Sequence, residues 1–315
     1  MPDRWRWWVL LGLALALMLW GCATGPMMVD GMSRLIEDGS EAYEAEPDLD
    51  LLREALPAHI KLAEILQRND PTHPGVNLLL ARLYGAYVLV VLEPRLAAVG
   101  RDPSSSTNLS IEAAALRDRV DRCYRRGAAY AMAVLEGRHR GVGGRLTQIG
   151  TRDEALAALD VDDVPALFWY AFHLGGRVNL NRSNLRILAQ GHLVEAAMRR
   201  VVALAPGFDH GAAHLFLMVY HAVQPSAMGR PSPEAEAHYR AVHALPDGAG
   251  MAADVFYARE VLARGTDREA FDNQLNRVLA KGEAGARCLL DRLALEEAKR
   301  LRADPNVFEG EKRTS

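Results

Sequence analysis

Cysteine, basic stripes and strand-like patterns are what this sequence has least of, and each shortage narrows the answer. Three cysteines in 315 residues, Cys22, Cys123 and Cys288, are too few for a small disulfide-stapled scaffold. A formal charge of −3 with no stripe of Lys and Arg leaves no footprint for nucleic acid. No stretch alternates apolar and polar residues over strand length, whereas helix starts and stops recur, so an all-α fold is expected. Chemistry is missing in the same way. No nucleophile stands beside a placed base, and GVGGRLTQIG from Gly141 reads as a loop without the GK[ST] ending that a phosphate loop needs. Acidic pairs such as Asp162-Asp163 suit the start of a helix, where the macrodipole favours negative charge. An enzyme reading has no residues behind it, and no cofactor is implied.

At the N-terminus, MPDRWRWWVLLGLALALMLWGC carries two arginines, then an apolar run from Trp7 to Trp20 that is shorter than the ~20 residues of a membrane span. It suits the h-region of a signal peptide. Leu19-Trp20-Gly21-Cys22 resembles a bacterial lipobox, in which the cysteine is acylated and becomes the new N-terminus. An ordinary signal peptide or an uncleaved anchor beside a chance cysteine is the competing reading. Ala23 after the cysteine points to the outer membrane. The domain plan is a signal peptide over 1–21, a lipidated linker over 22–28, a helical body over 29–303 and a loose tail over 304–315. Without residues 1–21 the chain keeps 35 basic and 39 acidic residues, a charge of −4. Cys123 and Cys288 lie in separate helical patterns, and the spacing decides neither for nor against their pairing.

Along the body, 29–46 reads as a first helix and 49–69 as one or two more, split near Pro57. A turn at Asp70 to Gly75 precedes Val76 to Leu92, apolar on nearly every side with Arg82 its only charge, which marks a helix buried all round. A helix from Ser110 carries Val120, Cys123, Tyr124 and Leu135. Thr151 with Glu154, and Thr266 with Glu269, have capping-box spacing. Val164 to Leu174 holds no charge, and Gly175-Gly176 lets the chain bend or approach a neighbour closely. The last segments run over 267–280 and 284–302.

The stretch from Pro206 to Pro246 reads as a helical hairpin: helix, a turn with Pro225, Gly229 and Pro231, then a helix capped by Ser232 with Pro233 at its first position. Helix, turn, helix, proline is the unit of a tetratricopeptide-like array, and RRVVALAP and YRAVHALP both end in that way. Any helical hairpin shares some of these features.

Longer stretches are more specific. DDVPALFWYAFHLGGRVNL from Asp162, DHGAAHLFLMVYHAVQPSAMGRPSPEAEAHYRAVHAL from Asp209 and YAREVLARGTDREAFDNQLNRVLA from Tyr257 resemble the T-component lipoproteins of tripartite ATP-independent periplasmic (TRAP) transporters, the TatT group. The likeness covers almost the whole chain after Cys22. It implies an all-α fold of tetratricopeptide-like hairpins packed into one helical array, and a lipid-anchored periplasmic homotrimer with channels. It also implies a partnership with the periplasmic solute-binding protein of the same system, whose ligand is hydrophobic or an organic acid. It carries over no catalytic residues.

Two constellations remain. His210, His214 and His221 could share one helical face. Gly211 stands where an HExxH zinc enzyme needs its glutamate, so helix packing competes with a metal site. Phe168, Trp169, Tyr170, Phe172 and His173 form an aromatic cluster before the polar run RVNLNRSN. It is either core or the wall of an apolar passage, with Asn179, Asn181 and Arg182 at the mouth and His214 and Met218 of the neighbouring HLFLMVY helix lining it. The ligand residues expected on the passage reading are Trp169, Phe172, His173, Asn179, Arg182, His214 and Met218. The competing functions are a tetratricopeptide-like scaffold for a peptide or assembly partner, and an enzyme using the histidines.

For the anchor, Cys22→Ser is expected to release the protein from the membrane fraction or leave it unprocessed, because acyl chains on Cys22 supply the binding. Fractionation and gel migration identical to the wild type would contradict lipidation.

Overall fold

Asp48, with extended backbone, accepts hydrogen bonds from the amides of Asp50 and Leu51 and so starts the first long helix. The same kind of local signal sets most elements of the computed structural model, which describes residues 40–99, 107–223, 232–265, 267–304 and 307. In chain order the helices are α1 Ser40–Ala45, α2 Leu49–Asn69, α3 Pro74–Tyr87, α4 Glu93–Val99 and α5 Thr107–Arg138. They continue with α6 Val142–Thr147, α7 Ile149–Ala157, α8 Val164–Leu180, α9 Leu185–Leu188 and α10 Gly191–Leu204. The last five are α11 Ala212–Ala222, α12 Pro233–Ala244, α13 Gly250–Glu260, α14 Arg268–Lys281 and α15 Leu289–Ala303. Among the described residues there is no strand. The all-α expectation holds, and the short connections between neighbouring helices are compatible with a tetratricopeptide-like arrangement.

Several local expectations need correction. Helix α2 runs unbroken through Pro57. The proline costs roughly 3 kcal/mol in a helix interior, but Leu49, Leu52, Leu56, Ile60, Ala63 and Leu66 bury one continuous face across it. The stretch read as a loop from Gly141 is helical instead: Gly141 takes a left-handed φ of 79° and α6 begins at once. Thr151 is no cap, since α7 starts at Ile149 and the Thr151 hydroxyl donates to the Arg145 carbonyl. Helix α15 begins at Leu289 after a 3-10 turn over Glu283–Gly285, and α13 was not anticipated. The 29–39 segment, the 224–231 turn and Thr266 lie outside the described residues. For α14 the cap is Asp267, which accepts from the Ala270 amide. Ser232 caps α12 as read, with Pro233 at its first turn.

Between α3 and α4 the helix widens into a π turn over Val88–Leu92. Pro94 explains it. Its ring would strike the carbonyl four residues back, that of Val90, and it offers no N–H to that oxygen. Arg53 Nε from α2 donates to the same carbonyl at 3.2 Å, so the orphaned acceptor is satisfied from outside. The segment Pro74–Val99 has the length and mean hydropathy, 1.8, of a membrane span, but 67% of its apolar window is buried inside the protein. It is a core helix, as its sequence suggested.

Among the described residues three apolar cores form. One gathers α2, α3 and the start of α15 on α5, another packs α6, α7, α8 and α10, and the third unites α11 to α15. Cys123 lies in the first and Cys288 in the third, and no disulfide joins them. Helix α8 runs through the middle on glycine contacts. Gly85 of α3 faces the Trp169 ring, Gly127 of α5 the His173 ring, and Gly175 and Gly176 of α8 face Phe216 and Tyr124. The glycine pair therefore serves close approach and not a bend, since α8 continues to Leu180.

A Cβ at Gly127 would overlap the His173 imidazole, which is itself fully buried. Gly127→Ala should therefore lose about 1–3 kcal/mol by overpacking, against the gain of up to ~1 kcal/mol expected at an unconstrained helix site. Urea unfolding decides it, and a stabilised variant would refute the contact.

Candidate functional site

Where the three cores meet they leave a cavity of about 640 Å³. Its walls come from α3, the π turn and α4, with α8, α11, α13 and α15 closing the other sides. Phe168, Trp169 and Phe172 supply an aromatic wall, and Leu215, Phe216 and Val219 of α11 extend it. The rings interlock: Trp169 meets Phe168 and Phe172 edge-on at 5.1 and 5.3 Å between centroids. Leu79, Leu83, Ala86 and Leu89 form the facing wall at helical spacing. The lining includes the exposed residues Pro94, Ala97 and Glu296, so the cavity opens to solvent there. Such a space sheds water and suits an apolar molecule.

Charge is concentrated and mostly neutralised. Arg259 reaches Glu260 at 2.7 Å and Glu297 at 3.3 Å, and its guanidinium lies 5.1 Å from the Phe256 ring centroid. Arg300 Nε takes the other oxygen of Glu297 at 2.7 Å. Glu93, just past the π turn, accepts a hydrogen bond of 2.5 Å from the Tyr124 hydroxyl. Burial raises its pKa, with the Tyr124 bond and Arg259 opposing. Arg82 also lines the cavity, half-buried, and among the described residues it makes no ion pair or hydrogen bond.

The turn before α11 is strained. Asp209 and His210 both have left-handed backbone, at φ 48° and 57°, which costs of order 1–3 kcal/mol per residue and persists only where the surroundings impose it. Here His210 Nδ1 bonds the Asp247 carbonyl at 2.9 Å and the His210 carbonyl accepts from the Ala249 amide at 3.0 Å. Both residues line the cavity.

A family model described as TRAP transporter T-component matches residues 45–308. The chain belongs to that family. It is also similar to an uncharacterized protein of Treponema pallidum (strain Nichols), 25% identical over 248 residues that span 77% of this chain and 74% of the relative. The matched family is one of transport accessory components, and all the cavity's lining residues but Tyr43 lie within the matched segment.

In this T-component the structure gathers only part of the expected ligand set. Trp169 and Phe172 line the cavity. His173 does not: its ring points between α3 and α5, where Nε2 bonds the Ala81 carbonyl at 2.9 Å. That bond fixes the tautomer with the proton on Nε2, leaving Nδ1 without a partner. Asn179 and Arg182 bond each other at the exposed end of α8, away from the cavity, and Asn181 caps that helix through the Arg177 carbonyl while also reaching Asp121 at 3.1 Å. His214 and Met218 are on α11, on the side that packs towards α12 and α13. Sequence reasoning missed Glu93, Phe256 and Arg259. It noted Arg82 only as the one charge in an apolar, buried helix and gave it no part in a site.

The histidines separate as well. His210 lies in the strained turn, while His214 Nδ1 meets His238 Nδ1 at 2.9 Å and His221 stacks on His238 with an interplanar angle of 5°. The partner that joins the face is thus His238, from the other arm of the hairpin. Among the described residues no set of three or more His, Cys, Asp or Glu side chains has metal-holding geometry.

Complete burial pulls the His173 pKa down from its ordinary 6.5 to about 4, the Ala81 bond opposing in part. The folded form therefore stays neutral while the unfolded chain takes a proton. Stability should fall as pH drops from 6.5 to about 4, by about 1.4 kcal/mol per pH unit from this residue. Burial lowers His214 and, to about 4, His238 in the same direction. Urea titrations across that window, with His173→Gln expected to flatten the slope, check the sign.

Proposed function

We propose that this T-component is a non-enzymatic, periplasmic accessory of its transporter, lipid-anchored through Cys22 and oriented to the outer membrane. It assembles as a homotrimer and engages the system's solute-binding protein. Its cavity holds or passes a hydrophobic or organic-acid ligand. The observation that carries this reading is the cavity itself. A large, mostly apolar space opening to solvent in the middle of an otherwise filled core is destabilising for packing alone, so a ligand is the economical reason to keep it.

Self-association has its own support. Leu51, Leu62 and Ile65 are exposed at 54%, 37% and 59% and share the outer face of α2, since eleven residues make just over three full helical turns. An apolar stripe on an outer face suits a repeated interface of a closed ring.

Ala86→Trp tests the cavity without touching the aromatic core, because Ala86 is partly exposed to the empty space. The indole should fill it, leave the melting temperature nearly unchanged and abolish uptake of the ligand coupled to the solute-binding protein. Unchanged uptake with a normally folded variant would refute the reading.

A further inference from the structure

Every arginine on the cavity wall but one is engaged by carboxylates. Arg259 is held by Glu260 and Glu297, and Arg300 by Glu297. Glu296 is taken by Arg53 at 2.5 Å, and Glu93 by the Tyr124 hydroxyl. Arg82 alone makes no bond to a described residue, although it sits half-buried in an apolar wall. A guanidinium cannot shed its charge, and a charge drawn out of water without a partner is costly. The residue is therefore poised for an anion that none of the described residues provides.

The surroundings define that anion. Leu79, Leu83, Ala86 and Leu89 share the lining face of the helix with Arg82. Glu93 closes that face eleven residues on, about 16 Å away at the usual helical rise. A single negative head at Arg82 would leave its tail on these aliphatic residues and against Trp169, Phe172 and Phe216. A second negative charge farther along the chain would lie unpaired on that apolar wall, short of Glu93 at its end, where burial without a partner is costly.

We propose that Arg82 is the head-group residue of the cavity, binding the carboxylate of an unbranched aliphatic monocarboxylate whose chain lies along the apolar face of α3. This rests on the reading that the cavity takes a ligand. Guanidinium and carboxylate match as a two-pronged, charge-assisted pair, which an alcohol does not reproduce.

The test is equilibrium dialysis of radiolabelled octanoate, octanol and octanedioate against the full chain in nonionic detergent, with protein-free micelles as the blank. Octanoate should bind saturably and more tightly than octanedioate, whose second carboxylate would lie on the apolar wall. Arg82→Met should weaken octanoate by about tenfold or more, as loss of a hydrogen bond to a charged group implies, and leave octanol unchanged. Ala86→Glu, which places a carboxylate one turn from the guanidinium, should produce the same selective loss and serves if Arg82→Met does not fold. Equal effects on octanoate and octanol, or none on either, overturn the role of Arg82 while the cavity reading stands. Failure of all three probes to bind saturably overturns both.

Discussion

Close approach at α8 is the constraint on which the architecture depends. Four glycines let bulky rings reach backbone, Trp169 against Gly85, His173 against Gly127, Phe216 against Gly175 and Tyr124 against Gly176. A side chain at any of these positions would push α8 away from α3, α5 or α11. Because α8 is held so tightly on two sides, its third side, with Phe168, Trp169 and Phe172, becomes a fixed wall. The cavity exists because α13 and α15 face that wall without filling the space.

The π turn in the opposite wall follows from one residue. Pro94 removes a helical bond, Arg53 satisfies the carbonyl so exposed, and the widened turn sets Leu89 and Glu93 on the lining. Arg53 then also reaches Glu296 of α15, so one side chain ties α2, the π turn and α15 together at the open side. Neighbouring polar groups are paired in a similar way. Asp163, 1% exposed, accepts from the Asp160 amide and from His139, and Arg138 lies 3.1 Å from it. Against that background of satisfied charges, Arg82 stands out on physical grounds rather than by position alone.

Membership of the T-component family places the chain among transport accessory components, and the apolar cavity is the feature the proposed function rests on. On the proposed function, a protein that must release what it holds gains nothing from a fully saturated polar site. An apolar wall with one cation unpaired among the described residues would give orientation with modest affinity, and the strained Asp209–His210 turn places a pinned, non-helical backbone at the same cavity.

Much of the fold was legible because its signals are local. Ser232 with Pro233, Asp48 before an amphipathic run, and the uncharged stretch of α8 each act within a few residues, so the sequence alone determined an all-α chain, most of its helices and the aromatic cluster. Local patterns also misled where a tertiary face outweighed them, as at Pro57, where buried leucines and Ile60 on both sides carry the helix through. Only the tertiary structure decided which side each residue took. Trp169 and His173 are four residues apart on one helix, yet one faces a cavity and the other a fully buried slot between α3 and α5, because Gly85 and Gly127 come from different helices. His238 joined His214, and Glu93 met Tyr124, across separations that no periodicity records. Cavities are set by where helices from distant parts of the chain fail to fill space, and that is a property of packing, not of pattern.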